Sequence, residues 1–226
     1  MYEEDVKEYF RAKRMAAKRV LGRVGGRRLR YRPKDLPSNG EIRDALLHLS
    51  ELCEGDRRTQ RLFAMRITAL EAMKSLSDLH PRLIGSVSTG HIRRGSDIDI
   101  QVFCDDQEGV ETLLSSLRWT FESERTTIYK FGEIREYQHY HVADVFPIEL
   151  TLYDTREQRF RPKSSTDGKP IVRVSVPALE TLLMREHTRS WQRYLDDGHV
   201  DGLDTWLTEQ DGPQPGPFDG LLTPMT

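Results

Sequence analysis

Two aspartates one residue apart, Asp97 and Asp99, lie in the stretch LIGSVSTGHIRRGSDIDIQVF, residues 83–103, and the first follows Gly85 by twelve positions. In an extended strand residues two apart share a face, so this pair projects together while Ile98 and Ile100 enter a core. Carboxylates held so close repel each other, and the usual reasons to keep them are a shared proton or a bound cation. A hard divalent ion, Mg²⁺ above all, suits an all-oxygen site completed by phosphate oxygens and water. The Gly85-Ser86 turn supplies the other half, because glycine lets a backbone N–H approach a phosphate and serine adds a donor. Downstream, PIELTL at 147–152 repeats the alternation of apolar and acidic residues. If that strand lies beside the first, Glu149 joins Asp97 and Asp99 on one face. Three carboxylates can hold two Mg²⁺ ions, one activating an acceptor hydroxyl and one binding a triphosphate and stabilising the leaving pyrophosphate. The chemistry of such a set is nucleotidyl transfer.

With these residues the sequence resembles the nucleotidyltransferase superfamily typified by DNA polymerase beta. The shared pattern is Ile84-Gly85-Ser86, then Asp97-Ile98-Asp99-Ile100, then Ile148-Glu149-Leu150, within residues 81 to 190. The resemblance implies that Asp97 and Asp99 bind both metals, that Glu149 completes the acceptor-side site and assists deprotonation, and that Gly85 and Ser86, with Ser96, hold the triphosphate. Asp144 and Asp154 are the alternatives to Glu149 as third acid. The implied activity is Mg²⁺-dependent transfer of NMP from an NTP, with ATP favoured as the common donor, to a hydroxyl on RNA, protein or a small molecule. Only 77 residues follow Glu149, less than the large helical domain that template-independent polymerases of the superfamily usually add, so a processive polymerase is the weaker expectation. The alternative is a non-catalytic nucleic-acid or protein binding module on the same scaffold. Each feature alone also has a plain structural reading: two solvated edge residues, an ordinary turn, a salt-bridge partner. His139, Tyr140 and His141 alternate as strand residues do and read as sheet packing or substrate-facing groups. Arg161, Lys163 and Lys169 read as a solvated loop, with a phosphate contact as the alternative.

These residues need a frame to hold them. The chain has 226 residues, 31% charged and 37% hydrophobic, with a mean hydropathy of -0.63, and no apolar run near the ~20 residues of a membrane span. Its first residues, MYEEDVKEYF, carry no apolar signal region, so a cytoplasmic location is expected. Cys53 and Cys104 read as two reduced, mostly buried thiols. Residues 10–34 hold eleven Lys or Arg and no acid, whereas 194–226 hold seven Asp or Glu and no Lys or Arg. The basic arm is a candidate contact for RNA phosphates; a solvated helix face, opposed to the acidic end, is the competing reading.

The spacing predicts three helices in residues 1–80. Val6, Tyr9, Phe10, Ala17, Val20 and Leu21 form the stripe of the first, ended by Gly22, Gly25 and Gly26. Ser38 to Glu41 reads as a capping box for the second, with Ile42, Ala45, Leu46, Leu49, Leu52 and Cys53 inward and Gly55 as its stop. The third runs from Asp56 to Leu79, before Pro81, with Leu62, Ala69, Leu70, Met73 and Leu76 inward. Strands follow at 83–87, 97–103, 126–131, 137–142 and 146–153, with the second pair of these joined around Gly132. Helices are expected over 110–117 and from Pro177 through Leu183. The expected architecture is therefore α+β, a mixed sheet with flanking helices. It divides into a helical region with the basic arm (1–80), a catalytic domain (81–190) and an acidic Pro/Gly-rich tail (191–226), on which Trp206 and Leu207 are candidates to dock.

Overall fold

The structure is a computed structural model that describes residues 1, 6, 8–21, 32–93, 95–130, 133–164 and 168–203. It has a mixed α+β fold. The helices are α1 (Tyr9–Leu21), α2 (Asn39–Glu54), α3 (Asp56–Ser75), α4 (Gly85–Thr89), α5 (Gln107–Ser116), α6 (Val176–Glu186) and α7 (Thr188–Asp197). The strands are β1 (Arg82–Leu83), β2 (Ile98–Phe103), β3 (Phe121–Lys130), β4 (Glu133–Val142) and β5 (Ile148–Tyr153). They form one sheet in the order β1-β2-β5-β4-β3, in which β2 and β5 run parallel and the other pairs antiparallel. No described helix is long and apolar enough to cross a membrane.

Alternation decides the two faces of the sheet. Ile98, Ile100, Val102, Tyr140, Val142, Ile148 and Leu150 point into a core shared with α3, α5 and α6. The opposite face carries Asp99, Gln101, Glu149, Thr151, His139 and His141. Helix α3 is buried nearly all round, with Phe63, Ala64, Leu70 and Met73 at 0% exposure, so it is the central support of the molecule. It ends at Ser75, and a 3-10 turn over Ser77–Leu79 with His80 in the left-handed region leads into β1.

The capping box before α2 forms as expected. Ser38 Oγ accepts from the Glu41 N–H at 3.1 Å, and the Glu41 carboxylate accepts from the Ser38 N–H at 2.7 Å. Several other expectations change. The stripe on α1 does not pack as a unit: Val6 and Ala17 are buried, but Phe10 and Val20 are 69% and 68% exposed. The α2 stripe is at most half-buried, Ala45 and Leu52 are exposed, and Ser50 is the residue sealed in. Periodicity supplies an apolar face, but a neighbour must be there to cover it. Val87 belongs to a helix rather than a strand, because α4 begins at Gly85 immediately after the two-residue β1. Strands β3 and β4 are longer than expected, since a ribbon with polar residues on both faces gives little alternation to read. Helix α7 was not foreseen, and it carries the chain in helical form past residue 191 to Asp197, with Trp191 docked in the core. The two thiols are free and half-buried. Gly22, Gly25, Gly26, Gly132, Trp206 and Leu207 lie outside the described residues.

Candidate active site

The local fold brings the Gly-Ser pair onto the acid pair. Leu83 on β1 pairs with Ile100 on β2, and the Ile84 N–H donates to the Asp99 carbonyl at 2.9 Å. The chain then turns at once into α4, with Gly85 at φ +70°, a conformation that side chains other than glycine rarely take. Space imposes the same choice. A Cβ on Gly85 would overlap the Asp99 carboxylate, which lies against the bare glycine. Ser88 Oγ and Thr89 Oγ1 donate to the Gly85 carbonyl at 2.9 and 3.1 Å and fasten the short helix. Gly85, Ser86, Ser96, Asp97 and Asp99 all line one cleft of about 410 Å³.

Strand pairing brings Glu149 next to Asp99. Asp99 and Glu149 are direct partners on the parallel strands β2 and β5, so their side chains leave the sheet side by side. Asp97 stands one residue before β2, where the Ile98 N–H already donates to the Pro147 carbonyl at 2.8 Å. Asp144 and Asp154 have local duties instead: Asp144 accepts from the Val145 N–H at 2.6 Å, and Asp154 caps a 3-10 turn through the Arg156 N–H at 2.9 Å. Glu149 does not line the cleft, however. Its Oε1 lies 2.8 Å from His139 Nδ1, which also stands 3.3 Å from Thr151 Oγ1. Among the described residues, no three His, Cys, Asp or Glu side chains come close enough to share a cation. Two carboxylates therefore face the cleft, with a third beside them held by a histidine.

The remaining candidates are placed as follows. Ser96 Oγ accepts from the Arg93 N–H at 3.0 Å and closes the turn that delivers Asp97. Tyr140 is a core residue, while His141 stands on the exposed face 3.7 Å from Glu124. In the loop after β5, Lys163 bridges to Pro170, and Ser164, Pro170, Ile171 and Val172 reach the cleft. Arg161, Lys163 and Lys169 do not line it.

Comparison with known proteins adds little to this geometry. No protein-family model and no curated protein matches the chain. Among solved structures, a chain of the GLD-2/RNP-8 complex aligns at 16% identity over 51% of this chain and 48% of that one, so the match spans about half of each. Its TM-score is 0.29, a likeness too slight to bear on the site.

Two groups of functional neighbours were not visible as such in the sequence. One is the far wall of the cleft, made by Arg43, Leu46, Leu47 and Ser50 of α2 with Tyr9 of α1. The only advance signal was their spacing of three and four residues, which reads as ordinary helix packing. The other is a pair of buried arginines on α3. Arg66, 1% exposed, donates to the Val87 carbonyl at 3.2 Å and to Glu186 Oε2 at 2.7 Å, and its Nη1 lies 3.1 Å from His187 Nε2. Arg58 donates to the Gly90 carbonyl. Together they grip the C-terminal end of α4, whose first residues are Gly85 and Ser86. Burial first, and the Arg66 charge second, push the His187 pKa down to about 4, which leaves its imidazole neutral beside that cation.

Proposed function

We propose that this protein is a Mg²⁺-dependent nucleotidyltransferase that moves NMP from an NTP, ATP being the favoured donor, to a hydroxyl acceptor and releases pyrophosphate. The observation that carries this reading is the contact of Gly85 with the Asp99 carboxylate. It sets a glycine turn directly against Asp99 at a cleft that Asp97 also lines, with Glu149 in register next to Asp99. The donor set is all oxygen and fits a hard cation. Asp97 and Asp99 would hold Mg²⁺, with Glu149 joining from the next strand, and the metal would neutralise phosphate charge and increase the acidity of the acceptor hydroxyl.

The protein's own groups account for the rest. Ser86 Oγ and the backbone N–H groups beside it donate to triphosphate oxygens. The acceptor oxygen forms a bond to the α-phosphorus as the bond from that phosphorus to its bridging oxygen breaks, and pyrophosphate leaves with the electron pair. Glu149 Oε2 is the base for the hydroxyl of an acceptor that reaches past Asp99 to the edge of the cleft, while Oε1 keeps its bond to His139. The exposed basic residues of α1, among them Arg11, Arg14 and Lys18, extend the case for RNA as one acceptor class.

Incubation with each α-labelled NTP, Mg²⁺ and panels of RNA, protein and small-molecule acceptors tests the proposal. The expected result is label transfer that Asp97→Asn abolishes. One observation favours a second reading: Glu149 is tied to His139 and stands outside the cleft. A binding module on this scaffold would show salt-sensitive RNA or protein binding that Asp97→Ala leaves unchanged, and no label transfer with any acceptor.

A further inference from the structure

The cleft has both a polar and an apolar lining. Ser86, Asp97 and Asp99 share its lining with Leu46 and Leu47 of α2 and with Ile171 and Val172 of the loop after β5. On α2, Arg43, Leu46, Leu47 and Ser50 follow the i, i+3, i+4, i+7 spacing of a single helix face, so the cleft meets one continuous stripe. Ser50 closes the base of that stripe; it is 2% exposed and donates to the carbonyls of Leu46 and Leu47 at 2.8 and 3.0 Å. Leu46 and Leu47 remain only half-buried, and Val172 is 56% exposed. Partly exposed apolar side chains thus line the same cleft as the acid pair.

A histidine in the same cleft has only a loose contact with the Thr89 backbone. His91 lines the cleft, and its Nδ1 is buried with no bond of hydrogen-bond geometry. Burial, followed by the charge of Arg43, lowers its pKa, so the ring is neutral at physiological pH and each nitrogen has a defined role as donor or acceptor. A buried polar atom without a well-formed hydrogen bond is costly, and water or the polar edge of a ligand satisfies it. An anionic head, a flat apolar body and a polar edge together describe a nucleotide.

Resting on the nucleotidyltransferase reading, we infer that α2 is the nucleoside wall of the donor site: the base lies between Leu46 and Leu47 on one side and Ile171 and Val172 on the other, and His91 Nδ1 bonds its edge. Helix α2 lies before residue 81 and so outside the stretch that carries the family resemblance. Base recognition is in this way assigned to the N-terminal helices, and phosphate and metal binding to the sheet.

Binding of the non-transferable analogue α,β-methylene-ATP and of inorganic tripolyphosphate, both with Mg²⁺, separates the apolar lining from the polar one. In the Leu46→Ala/Leu47→Ala double variant the dissociation constant for the nucleotide analogue is expected to rise at least about tenfold, which is about 1.4 kcal/mol, with tripolyphosphate affinity unchanged. Leu47→Trp, which fills the space beside the apolar lining without emptying the helix face, should block the nucleotide analogue and spare tripolyphosphate. His91→Ala should alter the ranking of the four α,β-methylene nucleotides, whereas a purely structural role would weaken all four alike. If both α2 variants lose the two ligands in parallel, or lose neither, the nucleoside wall is wrong while the phosphate site stands. If the wild-type protein binds neither ligand, the nucleotidyltransferase reading fails and takes this inference with it.

Discussion

Asp97 and Asp99 line one cleft, yet each has its own surroundings. Asp99 is wedged between the bare Gly85 and its register partner Glu149, while Asp97 stands at the strand entrance on the turn closed by Ser96. Asp97→Asn and Asp99→Asn should each lower turnover by about a thousandfold or more with an unchanged melting temperature, because the amide preserves shape but is a poor ligand for Mg²⁺. Steady-state label transfer and thermal denaturation measure the two quantities. Glu149→Gln should act likewise, and Asp144→Asn should be near neutral in turnover, since Asp144 serves its own turn. Gly85→Ala is the severe change of a different kind. It places a side chain at φ +70°, which costs about 1–2 kcal/mol, and drives Cβ into the Asp99 carboxylate. Lower melting temperature together with lost turnover is expected; a variant that keeps both would remove the close Gly85–Asp99 contact from the account.

At the scale of elements, the site depends on how α4 is held. Its five residues cannot be a stable helix alone, and the side chains of Arg58 and Arg66 fix its far end from α3. Arg66 also reaches Glu186 and His187 at the junction of α6 and α7, so three helices meet at one buried cation. This junction predicts an acid sensitivity. The folded pKa of His187, about 4, lies below its unfolded value, so the fold favours the neutral ring. The corresponding stability is fully present above about pH 6.5 and is lost as pH falls from there through about 4. Stability measured by urea denaturation should therefore decline across that window. His187→Phe, which also stacks beside Phe63, should flatten the decline; the same slope in the variant would assign the acid sensitivity to carboxylates instead.

For the molecule as a whole, charge is the organising quantity. Basic residues gather in the N-terminal arm and acidic residues toward the C-terminus, while the net charge is only -2. Arg27, Arg28 and Arg30 lie outside the described residues, and their role is best read in solution. If the arm positions an RNA acceptor, the triple change of Arg27, Arg28 and Arg30 to Ala should weaken RNA binding and flatten its dependence on salt, with NTP affinity nearly intact. If the arm only offsets the acidic end, the same variant should lose stability at low salt without an acceptor defect, because exposed charges interact over about 10 Å at 0.1 M. A wild-type protein that binds no RNA at low salt would leave protein or small-molecule modification as the acceptor class.

The sequence by itself determined what depends on local spacing. Asp-Ile-Asp fixes the spacing of two carboxylates, Ser38 with Glu41 fixes the start of α2, Gly55 separates α2 from α3, and the leucines and methionines of α3 fix its burial. These need only the periods of helix and strand and the hydrogen-bonding needs of helix ends. Tertiary structure decided everything that rests on which element lies beside which. Only the parallel pairing of β2 with β5 places Glu149, rather than Asp144 or Asp154, next to Asp99. Only the tertiary placement of α2 makes Leu46, expected in the core stripe, and Leu47, outside that stripe, part of the wall of a cleft. Nothing in the sequence singles out Arg58 and Arg66, and they became buried anchors because the Val87 and Gly90 carbonyls and the Glu186 carboxylate stand where water would otherwise be. A residue's type and spacing limit what it can do, but the partner that satisfies its charge or covers its apolar surface comes from distant parts of the chain.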